Sequence, residues 1–337
     1  MVKARKYLIG KVFQGEPKRS DLTLVEEELP PLKNGDFLIE AEYLSVDPYM
    51  RAFTPALIVG NIMMGTQVGK IIESKNPGFP VGRRVVANVG WRTHTIIDEK
   101  TIAKNTWLET PYLMPDFGNL PSSLGLGVLG MTGNSAYFGL LEICKPEKGK
   151  TIVISAAAGA VGSHAGQIAK IYGLKVIGIA GSDIKCKWIK EDLGFDHVIN
   201  YKTQDIDAVL KEAAPEGVDY YFDNVGGATS RTVTTHMNAY GIIAACGCIS
   251  FYNADPNTVP ESCVIQTEFI NRRLKMEGFV VYQWYDRWFE GIEKNIEWIR
   301  QGKVKYRETI THGFENMFDV FIGMLRGENI GKAIVKA

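Results

Sequence analysis

The chain, 337 residues long, lacks any apolar run approaching the roughly eighteen residues that a membrane-spanning helix needs. Its N-terminus, "MVKARKYLIGKVF", is basic but has no apolar core of about seven or more residues, so it does not read as a secretory signal and a cytoplasmic protein is expected. Excess charge of either sign is also missing. Lys and Arg number 38 and so do Asp and Glu. No electrostatic footprint for nucleic acid or an anionic membrane follows, and the expected partner is a small molecule. The cysteines, Cys144, Cys186, Cys246, Cys248 and Cys263, are odd in number and form no zinc-knuckle spacing, so they are expected to be ordinary buried thiols. His94, His164, His197, His236 and His312 are scattered along the chain, which fits core or surface positions better than ligands or bases. A zinc dehydrogenase needs Cys, His and carboxylate together or a four-cysteine lobe, and neither pattern occurs. No nucleophile elbow or kinase signature is visible.

What is present is the composition of a globular protein, 45% hydrophobic and 23% charged, with length for about two domains. From residue 151 onward, strand-like runs alternate with helical patterns. The runs are "TIVIS" (151–155), "KVIGIAG" (175–181), "HVINY" (197–201), "VDYYFDNV" (218–225), "GIIAACGCIS" (241–250) and "KMEGFVVYQ" (275–283). In the first helical pattern Val161, Ala165, Ile168, Ala169 and Tyr172 share one stripe, with Gly173 as the C-cap. Strands joined by helices predict right-handed crossovers and a doubly wound parallel sheet, an α/β fold. Residues 1 to about 120 instead show short alternating strands, such as "DFLIEAEYLSV", separated by turn signals, which predicts an antiparallel β domain. A helix follows the sixth run, with Phe289, Ile292, Ile296 and Ile299 on its stripe, and the chain closes with a helix and a strand.

The first run ends in "SAAAGAVG" (155–162). A helix N-terminus offers free amides and a positive dipole to a phosphate, and small residues let a pyrophosphate approach. Gly159 and Gly162 keep the three-residue spacing of the dinucleotide fingerprint, while Ala157 stands where its first glycine would be. At the end of the second run, "IAGSDIK" places Ala180, Gly181 and Ser182 where NAD enzymes carry a ribose-binding acid, and Lys185 follows. Two readings stay open. Lys185 can pair with the 2′-phosphate of NADP, or Asp183 can be the ribose acid and Lys185 a solvated lysine.

With those residues in hand, the chain resembles the zinc-free medium-chain dehydrogenase/reductase family over nearly its full length. The resemblance rests on "LPPLKNGD" (29–36), "VDPYMR" (46–51), "MMGTQVGK" (63–70), "AYFGLLEICKP" (136–146), "AAAGAVGS" (156–163), "VINYKT" (198–203), "YFDNVGG" (221–227) and "ENIGKAIVKA" (328–337). It implies a Rossmann NADP-binding domain (126–303) inserted in a mostly antiparallel, GroES-like catalytic domain (1–125, completed by 304–337). Cofactor contacts are implied at Gly159, Ala160, Val161, Gly162, Lys185, Tyr201 and Asn224. They extend through the loop Cys246, Gly247, Cys248, Ile249, Ser250, Phe251 and Tyr252, and further to Phe279, Val280, Val281 and Asn329. The implied activity is NADPH-dependent, metal-free reduction of the carbon–carbon double bond of enones and alkenals, such as 15-oxo-prostaglandins, with oxidation of leukotriene-like alcohols as a side activity. Hydride addition to the β-carbon builds charge on the carbonyl oxygen, so a donor is needed there. Tyr252 is the expected catalytic phenol, shared with the cofactor ribose; Tyr49 is the expected substrate contact, and Arg51 a structural residue. A homodimer is implied as well. Quinone reduction on the same fold, or a non-catalytic NADPH- and RNA-binding role, are the rival readings. The chain departs from the family at Thr132-Gly133-Asn134-Ser135, where relatives have Pro-Gly-Leu-Thr, and in the loops "TWLETPYLMPDFGNLPSS" (106–123) and "ADPNTVPESC" (254–263), which are expected to shape specificity.

Overall fold

The computed structural model describes residues 2–52, 58–103, 110–254 and 265–337. The chain divides into two compact units, Met1–Leu126 with Glu308–Ala337, and Gly127–Arg307. The first begins with strands β1 (Lys3–Ile9), β2 (Leu22–Glu28), β3 (Phe37–Ser45), β4 (Gln67–Ser74), β5 (Arg84–Ala87), β6 (His94–Ile97) and β7 (Tyr112–Leu113), and with short helices α1 (Tyr49–Ala52) and α2 (Glu99–Ala103).

The second unit holds β8 (Thr151–Ile154), β9 (Lys175–Ala180), β10 (His197–Asn200), β11 (Val218–Asp223), β12 (Met237–Ala245) and β13 (Lys275–Gly278). Its helices are α3 (Met131–Phe138), α4 (Ala160–Ile171), α5 (Asp183–Lys187), α6 (Ile206–Ala213), α7 (Gly227–Thr235), α8 (Gln266–Arg272) and α9 (Trp288–Arg300). The first unit is completed by β14 (Glu308–His312), α10 (Met317–Leu325) and β15 (Lys332–Lys336).

In the first unit the sheet runs β14-β15-β3-β4-β5-β7, with β6 also pairing β3. All pairs are antiparallel except β14 with β15. The strands are short and bounded by turns, so one face of each is left to a core. Trp91 fills it, edge-on to Tyr7 at 5.7 Å and to Phe321 at 5.7 Å, with Met50, Phe314 and Val335 beside them.

In the second unit the order is β10-β9-β8-β11-β12-β13 and every pair is parallel. Helices cover both faces, which is why β8 and β9 read as continuous apolar runs. Val153, Ile177, Ile199, Tyr221 and Ile243 form the core beneath α6 and α7. The strand order reverses between β8 and β11, and ligands of open α/β sheets bind outside the carboxyl ends of the strands at such a point.

Several expectations need correction. The "GIIAACGCIS" strand starts earlier, at Met237, and stops at Ala245, because the amides of Cys246 and Gly247 both turn to the carbonyl of Asp223, at 2.8 and 3.1 Å. The "KMEGFVVYQ" strand stops at Gly278, and residues from Val281 form a 3₁₀ segment. Phe289 is 45% exposed; α9 buries Trp288, Gly291, Ile292, Asn295 and Ile296 instead, a stripe displaced by one residue. Tyr172 also points outward, lying past the end of α4. Among the described cysteines, Cys144 and Cys186 are buried, Cys246 is half-buried and Cys248 is exposed. Cys248 therefore departs from the buried-thiol expectation, and Cys263 lies outside the described residues. No helix among the described residues is long and apolar enough to cross a membrane.

Candidate active site

The turn between β8 and α4 is built by close backbone packing. Gly159 caps α4 with extended backbone and contributes no side chain, so the amides of Ala160, Val161 and Gly162 have no acceptor within the helix. A Cβ on Gly162 would lie 2.5 Å from the Ala156 carbonyl oxygen and 3.0 Å from the Ala157 Cα. Only glycine fits there. The left-handed residue of the turn is Ala156, at φ 48°, one position before the alanine that stands for the first fingerprint glycine. These features fit a pyrophosphate: unfilled amides, a helix dipole and no obstructing side chains.

At the end of β9, Ser182 caps α5, its Oγ accepting from the Lys185 amide at 3.3 Å. The Tyr201 ring lies against Gly181, where an added Cβ would meet its Oη at 3.0 Å, and Tyr201 is 51% exposed. Burial, and then the nearby Lys202 cation, hold the Lys185 pKa below its ordinary value. Two like charges brought together in this way favour an anion. Asp183 accepts a hydrogen bond from the buried Asn200 amide at 2.7 Å and belongs to α5 rather than to the strand end, which weakens its reading as the ribose acid. Lys202 is a residue that the sequence reading passed over; its place directly after Tyr201 was the available signal.

Asp223, 4% exposed, organises the end of β11. Its Oδ1 accepts from Tyr221 Oη at 2.7 Å, from the amides of Val225 and Gly226 at 2.9 Å each, and from Ser155 Oγ at 3.1 Å. Asn224 is held in turn, its amide by Ser155 Oγ at 2.9 Å and its Nδ2 by the Ser155 carbonyl at 2.8 Å. The next loop is knitted to this one. Ser250 Oγ donates to the Val225 carbonyl at 2.6 Å, and the Ile249 amide reaches the Asn224 carbonyl at 3.3 Å. Phe251 is 38% exposed and packs near Gly226 and Gly227. Ser155 and Asp223 were not singled out from sequence, because the bond that joins them spans 68 residues and leaves no local pattern.

The Tyr252 hydroxyl accepts from the Cys248 amide at 3.3 Å. Burial raises its pKa above the ordinary value, more than the Cys248 amide lowers it. The hydroxyl also hydrogen-bonds the Cys248 side chain, which raises the Tyr252 pKa and lowers that of Cys248, so both sides of the phenol oxygen are held by Cys248 and a ligand oxygen would take the proton in place of the sulfur. Beyond β13, Phe279 and Val281 are buried, Phe279 being edge-on to Phe222 at 6.0 Å, whereas Val280 is 59% exposed. The Phe279 ring also lies close to Gly139, where an added Cβ would meet its Cζ at 2.5 Å.

These candidates, from Gly159 to Val281, lie on the Gly127–Arg307 unit after the carboxyl ends of its strands. Tyr49 and Asn329 belong to the other unit. Tyr49 opens α1 and packs on the core around Trp91, and Asn329 Nδ2 donates to the Gly331 carbonyl at 2.7 Å. Arg51 is buried, with its guanidinium on the Gly15 carbonyl at 2.9 Å and over the Phe13 ring. The departing Thr132-Gly133-Asn134-Ser135 segment is buried within α3, where Asn134 Nδ2 donates to the Trp288 carbonyl at 2.9 Å. It serves packing of α3 on α9. In the loop 106–123, residues 106–109 lie outside the described part, as do residues 255–263 of "ADPNTVPESC". Among the described residues no group of three or more His, Cys, Asp or Glu could hold a metal ion.

Two family models match the chain, one described as the N-terminal domain of oxidoreductase over residues 5–104 and one as zinc-binding dehydrogenase over residues 160–298. The chain is 48% identical to prostaglandin reductase 1 of Bos taurus over 100% of both chains. It is 36% identical to the NADP(+)-dependent 2-alkenal reductase of Nicotiana tabacum, covering 99% of this chain and 97% of the relative. Among solved structures, CurA from Vibrio vulnificus in complex with NADPH is similar, with TM-score 0.90, 36% identity and 99% of each chain covered. The chain belongs to the medium-chain dehydrogenase/reductase family.

Proposed function

We propose that this chain is an NADPH-dependent reductase of the carbon–carbon double bond of α,β-unsaturated ketones and aldehydes, of the 15-oxo-prostaglandin and 2-alkenal type. The observation that carries this reading is the Tyr252 phenol, half-buried and fixed by the Cys248 amide in the loop after β12. Full-length relatives named prostaglandin reductase 1 and 2-alkenal reductase support it.

Bound NADPH supplies the hydride that adds to the β-carbon of the enone. As negative charge moves to the carbonyl oxygen, the Tyr252 hydroxyl donates a hydrogen bond to it, sharing this task with the cofactor ribose. The α-carbon then takes a proton from solvent. Gly159, Ala160, Val161 and Gly162 hold the pyrophosphate; Lys185 and Tyr201, with Lys202 adding charge, hold the 2′-phosphate. Asn224, residues 246–252, Phe279, Val280, Val281 and Asn329 line the rest of the cofactor, and Tyr49 contacts the substrate. Oxidation of leukotriene-like alcohols is a separate side activity, in which the carbinol carbon would give its hydride to NADP and the hydroxyl its proton to solvent. Reduction assigned in this way leaves no step to a metal.

A cytoplasmic homodimer is part of the same proposal. The support for the dimer is the edge strand β13, which among the described residues pairs only with β12 in the sheet, and the exposed apolar residues on and next to it in sequence, Ile270 at 74%, Val280 at 59% and Met276 at 41%.

The test is NADPH oxidation by the purified chain with a 15-oxo-prostaglandin, a trans-2-alkenal and a quinone, with mass spectrometry of the products. Gain of two hydrogens at the enone double bond is expected. Turnover of the quinone alone assigns quinone reduction, and salt-sensitive RNA binding without turnover assigns the non-catalytic role.

A further inference from the structure

Lys332 is 4% exposed, yet it opens β15 as a charged residue. Its ammonium has three protons and three acceptors: the Val46 carbonyl at 2.7 Å, the Ala333 carbonyl at 3.0 Å and Asp47 Oδ1 at 3.0 Å. Asp47 is 3% exposed, and its other oxygen accepts from Ser45 Oγ. The Val46 amide reaches the Ala333 carbonyl at 3.3 Å, and the Met50 amide the Asp47 carbonyl at 3.2 Å. Asp47 thus starts the turn from which α1 and Tyr49 emerge. On the other side, Asn329 lies three residues before Lys332. Its turn is pinned by Thr309 Oγ1, which donates to the Ile330 carbonyl at 2.9 Å and accepts from the Ile330 amide at 3.1 Å.

Stability alone does not explain such a pair. Apolar residues of similar volume often serve as well as a buried ion pair, whereas an ion pair fixes direction. Here one ammonium fixes three directions, towards the end of β3, the turn after it and the start of β15. Each lies next to a segment given a binding role above.

We propose that Lys332 is a positioning residue whose ammonium, through Asp47 and the Val46 carbonyl, holds the Tyr49 turn and the Asn329 turn in one fixed arrangement, setting the affinity for both enone and NADPH. The proposal rests on the substrate and cofactor roles given to Tyr49 and Asn329. It adds no catalytic group, since Lys332 acts only through the segments it ties.

The experiment uses the full chain with Lys332→Met and the isosteric Asp47→Asn. Steady-state kinetics with trans-3-nonen-2-one and NADPH give both Michaelis constants, protein fluorescence gives the NADPH dissociation constant, and thermal unfolding gives Tm. Both Michaelis constants are expected to rise about tenfold, with kcat changed less. Tyr49→Phe is expected to raise the enone constant alone, and Asn329→Ala the NADPH constant alone. Adding Lys332→Met to those two should give less than the product of the separate effects, as residues acting through one another do. Unchanged Michaelis constants with only a lower Tm would overturn the proposal, and so would fully multiplicative effects. If Lys332→Met does not fold, Asp47→Asn and Lys332→Arg read the same constants. A wild-type chain that turns over no enone would sink the activity reading, while the NADPH dissociation constant of the variants still decides the tie to Asn329.

Discussion

At the scale of single residues, the chemistry turns on how one hydroxyl is held. The Tyr252 oxygen accepts from the Cys248 amide, its hydroxyl also hydrogen-bonds the Cys248 side chain, and burial moves its pKa further above the ordinary value of 10.0. An enolate oxygen is the acceptor that such a donor suits, because the hydrogen bond strengthens as charge develops. Tyr252→Phe is expected to lower kcat for a trans-enone by about ten- to a thousandfold, the effect of one oxyanion donor or less, with little change in NADPH affinity. Single-turnover kinetics would check it, and an unchanged rate would return the whole task to the cofactor ribose. This residue was legible in sequence only through family resemblance. No local spacing marks a tyrosine whose partner is the amide four residues before it.

At the scale of elements, the β8–α4 turn shows which part of a motif is chemical and which is steric. Gly159 and Gly162 were legible from spacing, and the close approach of Gly162 to the Ala156 carbonyl gives the spacing its reason. The left-handed position was not legible, since a sequence pattern carries no φ angle. Ala156 takes it at φ 48°, a conformation that costs an alanine roughly 1–2 kcal/mol. Ala156→Gly should therefore be close to neutral, as relief of that strain offsets roughly 0.5–1 kcal/mol of added unfolded-state entropy. Gly162→Ala should behave differently. Its Cβ meets backbone, not a movable side chain, so the turn must open, and a loss of about 1–3 kcal/mol of stability together with weaker NADPH binding is expected. Thermal unfolding and fluorescence titration of the two variants would separate them; equal effects would mean that the turn does not depend on this contact.

At the scale of the whole chain, the alternation of strand and helix was legible because a parallel sheet covered on both faces needs uninterrupted apolar strands. The polar ties were not. Asp223 meets Ser155 across 68 residues and Lys332 meets Val46 across 286, so no window of sequence contains both partners. His164 is of the same kind. Sequence places it only as a core or surface residue; it is 2% exposed with Nε2 3.0 Å from Asn295 Oδ1 across 131 residues. Burial lowers its pKa from 6.5 to about 4, outweighing the Asn295 hydrogen bond, which raises it. The unfolded chain therefore takes up this proton first as pH falls. The contribution of His164 to stability is complete above pH 6.5 and is lost between 6.5 and about 4, at about 1.4 kcal/mol per pH unit and about 3 kcal/mol in all. Other groups titrate in the same window, so the comparison must be with His164→Gln, whose amide keeps a donor towards Asn295 without taking a proton. Urea unfolding at a series of pH values should show the wild-type free energy falling more steeply than that of the variant below pH 6.5. Parallel curves would mean that His164 is protonated in the folded state and that its burial is not what the packing of α4 on α9 requires.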